Sequence, residues 1–185
     1  IVIFTERIET MKYLAAQLRQ DLGLKADAVQ EISGSMSDAE QQQIVEDFGR
    51  TESPVRVLVA SDVASEGLNL HYLSHRLIHF DIPWSLMVFQ QRNGRIDRYG
   101  QQKRPDIRYM LIESSNKRIK GDMRIIEILI TKEEQALKNI GDPSLLLGKF
   151  TIEDEELVVM DTIEAGSDAD AFTKTLDSGE EEFDP

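Results

Sequence analysis

The 185-residue sequence contains no cysteine, which excludes disulfides and thiolate metal sites. Its apolar residues come in short runs, none approaching the ~20 consecutive positions that a membrane-spanning helix requires. Neither a signal-type hydrophobic region nor an initiator Met is present, so the expectation is a cytoplasmic piece of a longer protein with no membrane partner. Aromatics are scarce at 6%, and no segment recurs at a fixed period, which argues against a solenoid.

Charge is abundant but unevenly placed. The net charge is −13, yet residues 151–185 hold thirteen acids, among them Glu153, Asp161 and Glu180, against Lys174 alone. That stretch therefore accounts for −12, and the first 150 residues balance at about −1. Basic residues gather around Arg92, Arg95, Arg98, Lys103, Arg104 and Arg108. Because phosphate recognition follows the local field, overall acidity excludes a histone-like coat but not a focused phosphate site.

Apolar patterning alternates between two periods. Ile1–Phe4 reads as a buried parallel strand, and Ile8, Met11, Ala15, Leu18 and Leu22 then recur at helical spacing up to Gly23. Ala26–Ile32 reads as extended, followed by the Ser33-Gly34-Ser35 loop. Ser37 with Glu40 forms a capping box for a helix whose stripe is Ile44, Val45 and Phe48 and which Gly49 ends. Further strands are predicted at 55–60, 77–80 and 107–112, with a helix over 85–93 and a long final helix marked by Ile119, Met123, Ile126, Ile130, Leu137 and Ile140. Repeated strand–helix alternation implies an α/β fold, a parallel sheet with helices on both faces, and ligand sites at the carboxyl ends of the strands. The reading is one lobe over 1–140, closed by the long helix, and an acidic, mobile tail over 141–185.

The most informative string is Gln90-Gln91-Arg92-Asn93-Gly94-Arg95-Ile96-Asp97-Arg98-Tyr99-Gly100-Gln101. It sets Arg95 and Arg98 three residues apart just beyond a helix-ending Gly, where two guanidinium forks could converge on a phosphate. For Arg-x-x-Arg alone the preferred reading is a solvated basic turn with Asp97 paired to an arginine; the whole string reverses that preference.

The string resembles motif VI of superfamily 2 helicases, in the form seen in bacterial, RNA-polymerase-associated Swi/Snf-type translocases. The resemblance extends in order to Ile1–Thr5, similar to motif IV, to Ile32–Ser37, similar to motif IVa, and to Ala60–Leu70, similar to motif V, covering residues 1 to about 112. It implies a second RecA-like lobe in which Arg95 and Arg98 are arginine fingers for ATP hydrolysis. Gln91 would couple nucleotide to polynucleotide, and Gly67 and Asn69 would approach the nucleotide. Glu66 and Asn69, where RNA-remodelling DEAD-box relatives usually carry Arg and Asp, move the resemblance toward double-stranded DNA as the track. The hydroxyls of Ser33, Ser35 and Ser61 are candidates for holding its phosphates without reading bases. A protein partner such as RNA polymerase is also implied.

A motor of this class needs a Gly-x-x-x-x-Gly-Lys-Ser/Thr loop for the β- and γ-phosphates and an acidic pair for Mg²⁺. Gly148-Lys149-Phe150 lacks the hydroxyl residue and the preceding Gly, and Asp154-Glu155-Glu156-Leu157 does not follow a buried strand. ATP and Mg²⁺ are thus expected to be held largely by a first lobe, the chain's principal partner, without which it is inactive. The alternatives are a non-catalytic docking lobe for a protein partner and an RNA helicase of the same superfamily. His71, His75 and His79 lie four apart but span a loop and a strand, and read as structural rather than as a metal site. Trp84, after Asp81-Ile82-Pro83, reads as a packing anchor in preference to a base-stacking platform.

Overall fold

The computed structural model describes residues 1–62, 69–112 and 122–140, together with 156, 157 and 160. Gly67, Ile119 and nearly all of the acidic tail lie outside these residues. The chain divides into two compact units. One comprises Ile1–Pro83 with Gln90–Met110, the other Trp84–Phe89 with the residues from Leu111 onward.

The first unit carries a five-stranded sheet built from β1 (Val2–Thr5), β2 (Val29–Ile32), β3 (Val57–Ser61), β4 (Arg76–His79) and β5 (Asp106–Tyr109). Their order is β2-β3-β1-β4-β5 and every pairing is parallel, with Thr5 opposite Ser61 and Phe4 opposite both Ala60 and His79. Side-chain alternation gives each face its own core. Val2, Phe4, Leu58, Ala60 and Leu77 lie on one face, against which Ile44, Val45 and Phe48 of α2 (Asp38–Gly49) pack. Ile3, Val57 and Val59 lie on the other, with Met11 and Ala15 of α1 (Ile8–Asp21). The α2 stripe is half-buried rather than buried, so this helix lies shallowly on the sheet.

Local chemistry explains the boundaries. Helix α1 stops in a Schellman arrangement: Gly23 has φ +59°, its N–H donates to the Gln20 carbonyl at 3.3 Å, and the Leu24 N–H donates to Arg19 at 3.0 Å. The capping box is complete, the Glu40 N–H donating to Ser37 Oγ and the Ser37 N–H donating to the Glu40 carboxylate at 2.8 Å. The Ser37 hydroxyl, which donates to the same carboxylate at 2.7 Å, and then the Ser37 N–H hold the Glu40 pKa below its ordinary value. One expectation needs correction: the first part of Ala26–Ile32 is not strand but a 3-10 turn, Ala26–Ala28. Gly49 is the last residue of α2, as expected, and a Cβ there would sit 2.8 Å from Leu73 Cδ2.

Helix α3 (Leu86–Asn93) crosses between the units in sequence, Leu86–Phe89 counting with the second and Gln90–Asn93 with the first. The second unit also holds α4 (Asp122–Ile140), whose Ile125, Ile126, Ile128 and Leu129 are buried. Among the described residues no helix is long and apolar enough to cross a membrane.

Candidate functional site at the carboxyl edge of the sheet

Parallel pairing brings the carboxyl ends of β1, β3 and β4 to one edge, and the residues there form one polar network. Asp81, two residues past β4, accepts from the Thr5 hydroxyl at 2.5 Å and from the Glu6 N–H at 2.9 Å. Helix α3 delivers Arg92 to the same place, and its side chain is wholly buried. Nε and Nη2 of Arg92 donate side by side to the two oxygens of Asp62 at 2.5 and 2.7 Å, a bidentate fork. Nη2 donates also to Asp81 Oδ1 at 3.0 Å, and Nη1 to the Asp81 carbonyl at 2.9 Å and toward His79 Nδ1 at 3.4 Å. These contacts occupy all five N–H donors that a guanidinium has. Its face lies 6.0 Å from the Phe4 ring centroid. Burial alone would lower the Arg92 pKa, but the hydrogen bonds and charges of Asp62 and Asp81 outweigh it and hold the pKa above its ordinary value.

His79 is buried in the middle of this arrangement. Because Nδ1 faces the Arg92 donor, the proton belongs on Nε2, which lies 2.8 Å from Asn93 Oδ1 and donates to it. Protonating Nδ1 would set a second cation against the guanidinium in a desolvated place. Burial first and the Arg92 charge second push the His79 pKa down to about 4, against the upward pull of Asn93 and Asp81. The imidazole stacks on Tyr109 of β5 with centroids 4.8 Å apart.

Beyond Arg92 the chain makes a tight turn. The Gly94 N–H donates to Gln90, Arg95 to the Arg92 carbonyl at 3.2 Å, and Asp97 to Asn93 at 2.9 Å. A Cβ at position 94 would stand 3.1 Å from the Gln90 carbonyl oxygen, which favours Gly. Ile96 is fully buried in the core. Gln101 then fastens the far end, its amide donating to the carbonyls of His71, Ser74 and Ile96 at 2.7, 3.0 and 3.1 Å. Between these anchors Arg95 is half-buried and Arg98 is exposed. Arg98 Nη1 donates to Asn69 Oδ1 at 2.6 Å. Asp97 makes no ion pair among the described residues, so the alternative reading of that turn as an Asp97–arginine pair is not what the structure shows.

The predicted site residues are thus brought together in part. Arg98 and Asn69 touch, and Ser33 and Ser35 join hydroxyls at 2.8 Å, Ser33 being buried and Ser35 exposed. Ser61 ends β3 with a buried hydroxyl that has no hydrogen-bond partner among the described residues. Gln91 is half-buried beside Arg92 in sequence, and Gly67 lies outside the described residues. Arg92, one of the basic residues that gather in this stretch of sequence, is consumed internally by Asp62 and Asp81. Trp84, expected as a packing anchor, keeps 38% of its surface exposed. Sequence reasoning missed Asp62, Asp81 and Asn93. The available signal was His79, a polar residue in an apolar strand, since a buried polar group requires partners.

The model of the helicase conserved C-terminal domain matches residues 1–100, more than half of the chain. RNA polymerase-associated protein RapA of Vibrio campbellii is 29% identical over 119 residues, 64% of this chain and 12% of that protein. RapA of Vibrio cholerae serotype O1 is 32% identical over 107 residues, 58% of this chain and 11% of that protein. The chain thus matches only about an eighth of the length of these relatives. Among solved structures, the Sulfolobus solfataricus SWI2/SNF2 ATPase core in complex with double-stranded DNA superposes with a TM-score of 0.56 at 24% identity, covering 86% of this chain and 29% of that one. The C-terminal part of the Fun30 ATPase domain gives 0.54 at 22%, covering 62% and 35%. At such identities the structural likeness is one of fold, and it agrees with the parallel RecA-like sheet. With residues 1–100 matched and the motif-like segments in order along the sequence, the chain belongs to the helicase conserved C-terminal domain family, as a second RecA-like domain of superfamily 2.

Proposed function

We propose that this chain is the second ATPase lobe of an ATP-dependent DNA translocase, and that Arg95 and Arg98 are the groups it contributes to ATP hydrolysis. The observation that carries the reading is the state of Arg98: its guanidinium is exposed, and its partner is the neutral amide of Asn69 rather than a carboxylate. A phosphate can take up such a fork without breaking an ion pair, whereas Arg92 is saturated by two carboxylates. Permanently charged forks suit the charge that develops on a transferring phosphoryl group, where an arginine finger contributes about 10³–10⁵ in rate.

In this reading Gly67, Asn69 and Gln91 border the nucleotide, and Ser33, Ser35 and Ser61 belong to the track of the polynucleotide backbone. A first lobe supplies the phosphate-holding loop and the Mg²⁺ ligands, so the chain alone hydrolyses no ATP. The double-stranded DNA bound by the Sulfolobus protein and the RNA-polymerase association in the name of RapA support duplex DNA as track and RNA polymerase as a partner.

The test is steady-state ATP hydrolysis by the full-length protein containing this chain, without polynucleotide, with duplex DNA and with RNA, for wild type and Arg95→Ala. Stimulation by duplex DNA and a loss of roughly 10³-fold or more in the variant are expected. Stimulation by RNA alone would replace the track, and a rate indifferent to Arg95 would remove the catalytic role.

A further inference from the structure

The arginine-bearing turn is held at three points, and the strongest of them belongs to none of the assigned functional residues. Arg92 is tied to Asp62, to Asp81 and to His79, which come from the ends of β3 and β4. Asp62 belongs to the string that resembles motif V, and Arg92 to the one that resembles motif VI. The carbonyl of Arg92 accepts the N–H of Arg95, so the first bond of the turn starts on the anchored residue. Ile96 in the core and Gln101 on three carbonyls complete the anchorage, leaving Arg95 and Arg98 between fixed points.

We propose that Arg92 is a positioning residue: through its carboxylate fork to Asp62 and Asp81 it fixes where the turn presents Arg95 relative to the carboxyl ends of β3 and β4. The inference rests on the proposed function, because it assigns Arg92 a role that acts through Arg95. Chemistry selects arginine at this point. Two carboxylates, a carbonyl and an imidazole nitrogen converge from different directions, and a planar fork of five donors meets them all at once. A lysine ammonium has three donors and no plane; it would keep the charge but release part of the set. Asp81 is itself held from the other side by Thr5 and the Glu6 N–H, so this acceptor cannot follow a retreating donor. A displacement of about 1 Å at a reacting group costs on the order of 10²-fold in rate, which sets the scale of the effect.

The experiment is a four-variant cycle in the full-length protein: wild type, Arg92→Lys, Arg95→Ala and the double variant. Duplex-stimulated kcat and KM for ATP are measured below the unfolding midpoint of each. The expected result is a loss in kcat of about 10- to 100-fold for Arg92→Lys with KM for ATP within about threefold of wild type, and no additional loss in the Arg95→Ala background. A purely structural Arg92 would lower the unfolding midpoint but leave kcat of the folded protein unchanged. That outcome, or a loss that multiplies fully with that of Arg95→Ala, overturns the proposal. Should Arg95→Ala leave turnover intact, the arginine-finger reading fails first and this inference falls with it. If Arg92→Lys does not fold, Asp62→Asn, which keeps the shape and removes the charged acceptor, takes its place in the cycle under the same criteria.

Discussion

Arg92 and Arg98 stand six residues apart in one string and have opposite surroundings. The inner arginine is wholly buried and has every donor engaged, chiefly by two carboxylates; the outer one is exposed and rests on a neutral amide. The comparison teaches that a guanidinium's use is set by its acceptors. One already neutralised within the fold serves the architecture, whereas one left with a neutral partner remains available to an anion.

The comparison breaks most severely at Arg92. Arg92→Met leaves Asp62 and Asp81 without their cation and is expected to destabilise the chain by about 3–5 kcal/mol, read from urea unfolding. Acid sharpens the contrast next. The folded-state pKa of His79 lies at about 4, below the ordinary 6.5. Its contribution to stability is therefore fully present above pH 6.5 and is lost as the pH falls through 6.5 toward 4, about 3 kcal/mol in all. The groups facing it are Arg92, Asn93, Asp81 and Tyr109. His79→Asn should remove that part of the acid dependence while leaving the part due to carboxylates, which stability-against-pH curves of the two proteins will separate. Away from the network, Ser37→Ala should cost about 1 kcal/mol by opening the capping box, measured as a shift in the urea midpoint. At Arg98 the effect on stability should be smallest, within about 0.5 kcal/mol for Arg98→Ala.

Much of the fold was legible because its signals are local. The apolar run at the start of the chain, the Ser37/Glu40 box and Gly23 each state their own geometry, and strand–helix alternation implies parallel pairing. The error arose where local identity has two causes. Ala26–Ala28 has an apolar content compatible with extended chain or a tight turn, and the turn won. At the site, the string around Arg95 and Arg98 stood out as a unit, but the partners of Arg92 did not. Asp62 lies 30 positions before Arg92 and Asp81 lies 11 before it, and only the sheet order brings them together.

The most direct test of the account pairs two readings on Arg98→Ala in the full-length protein: the unfolding midpoint and the duplex-stimulated kcat. The account predicts a midpoint close to that of wild type and a kcat lower by roughly 10³-fold, the signature of an arginine reserved for the phosphates. An unchanged kcat would make the Arg98–Asn69 bond an ordinary surface contact and contradict the central claim.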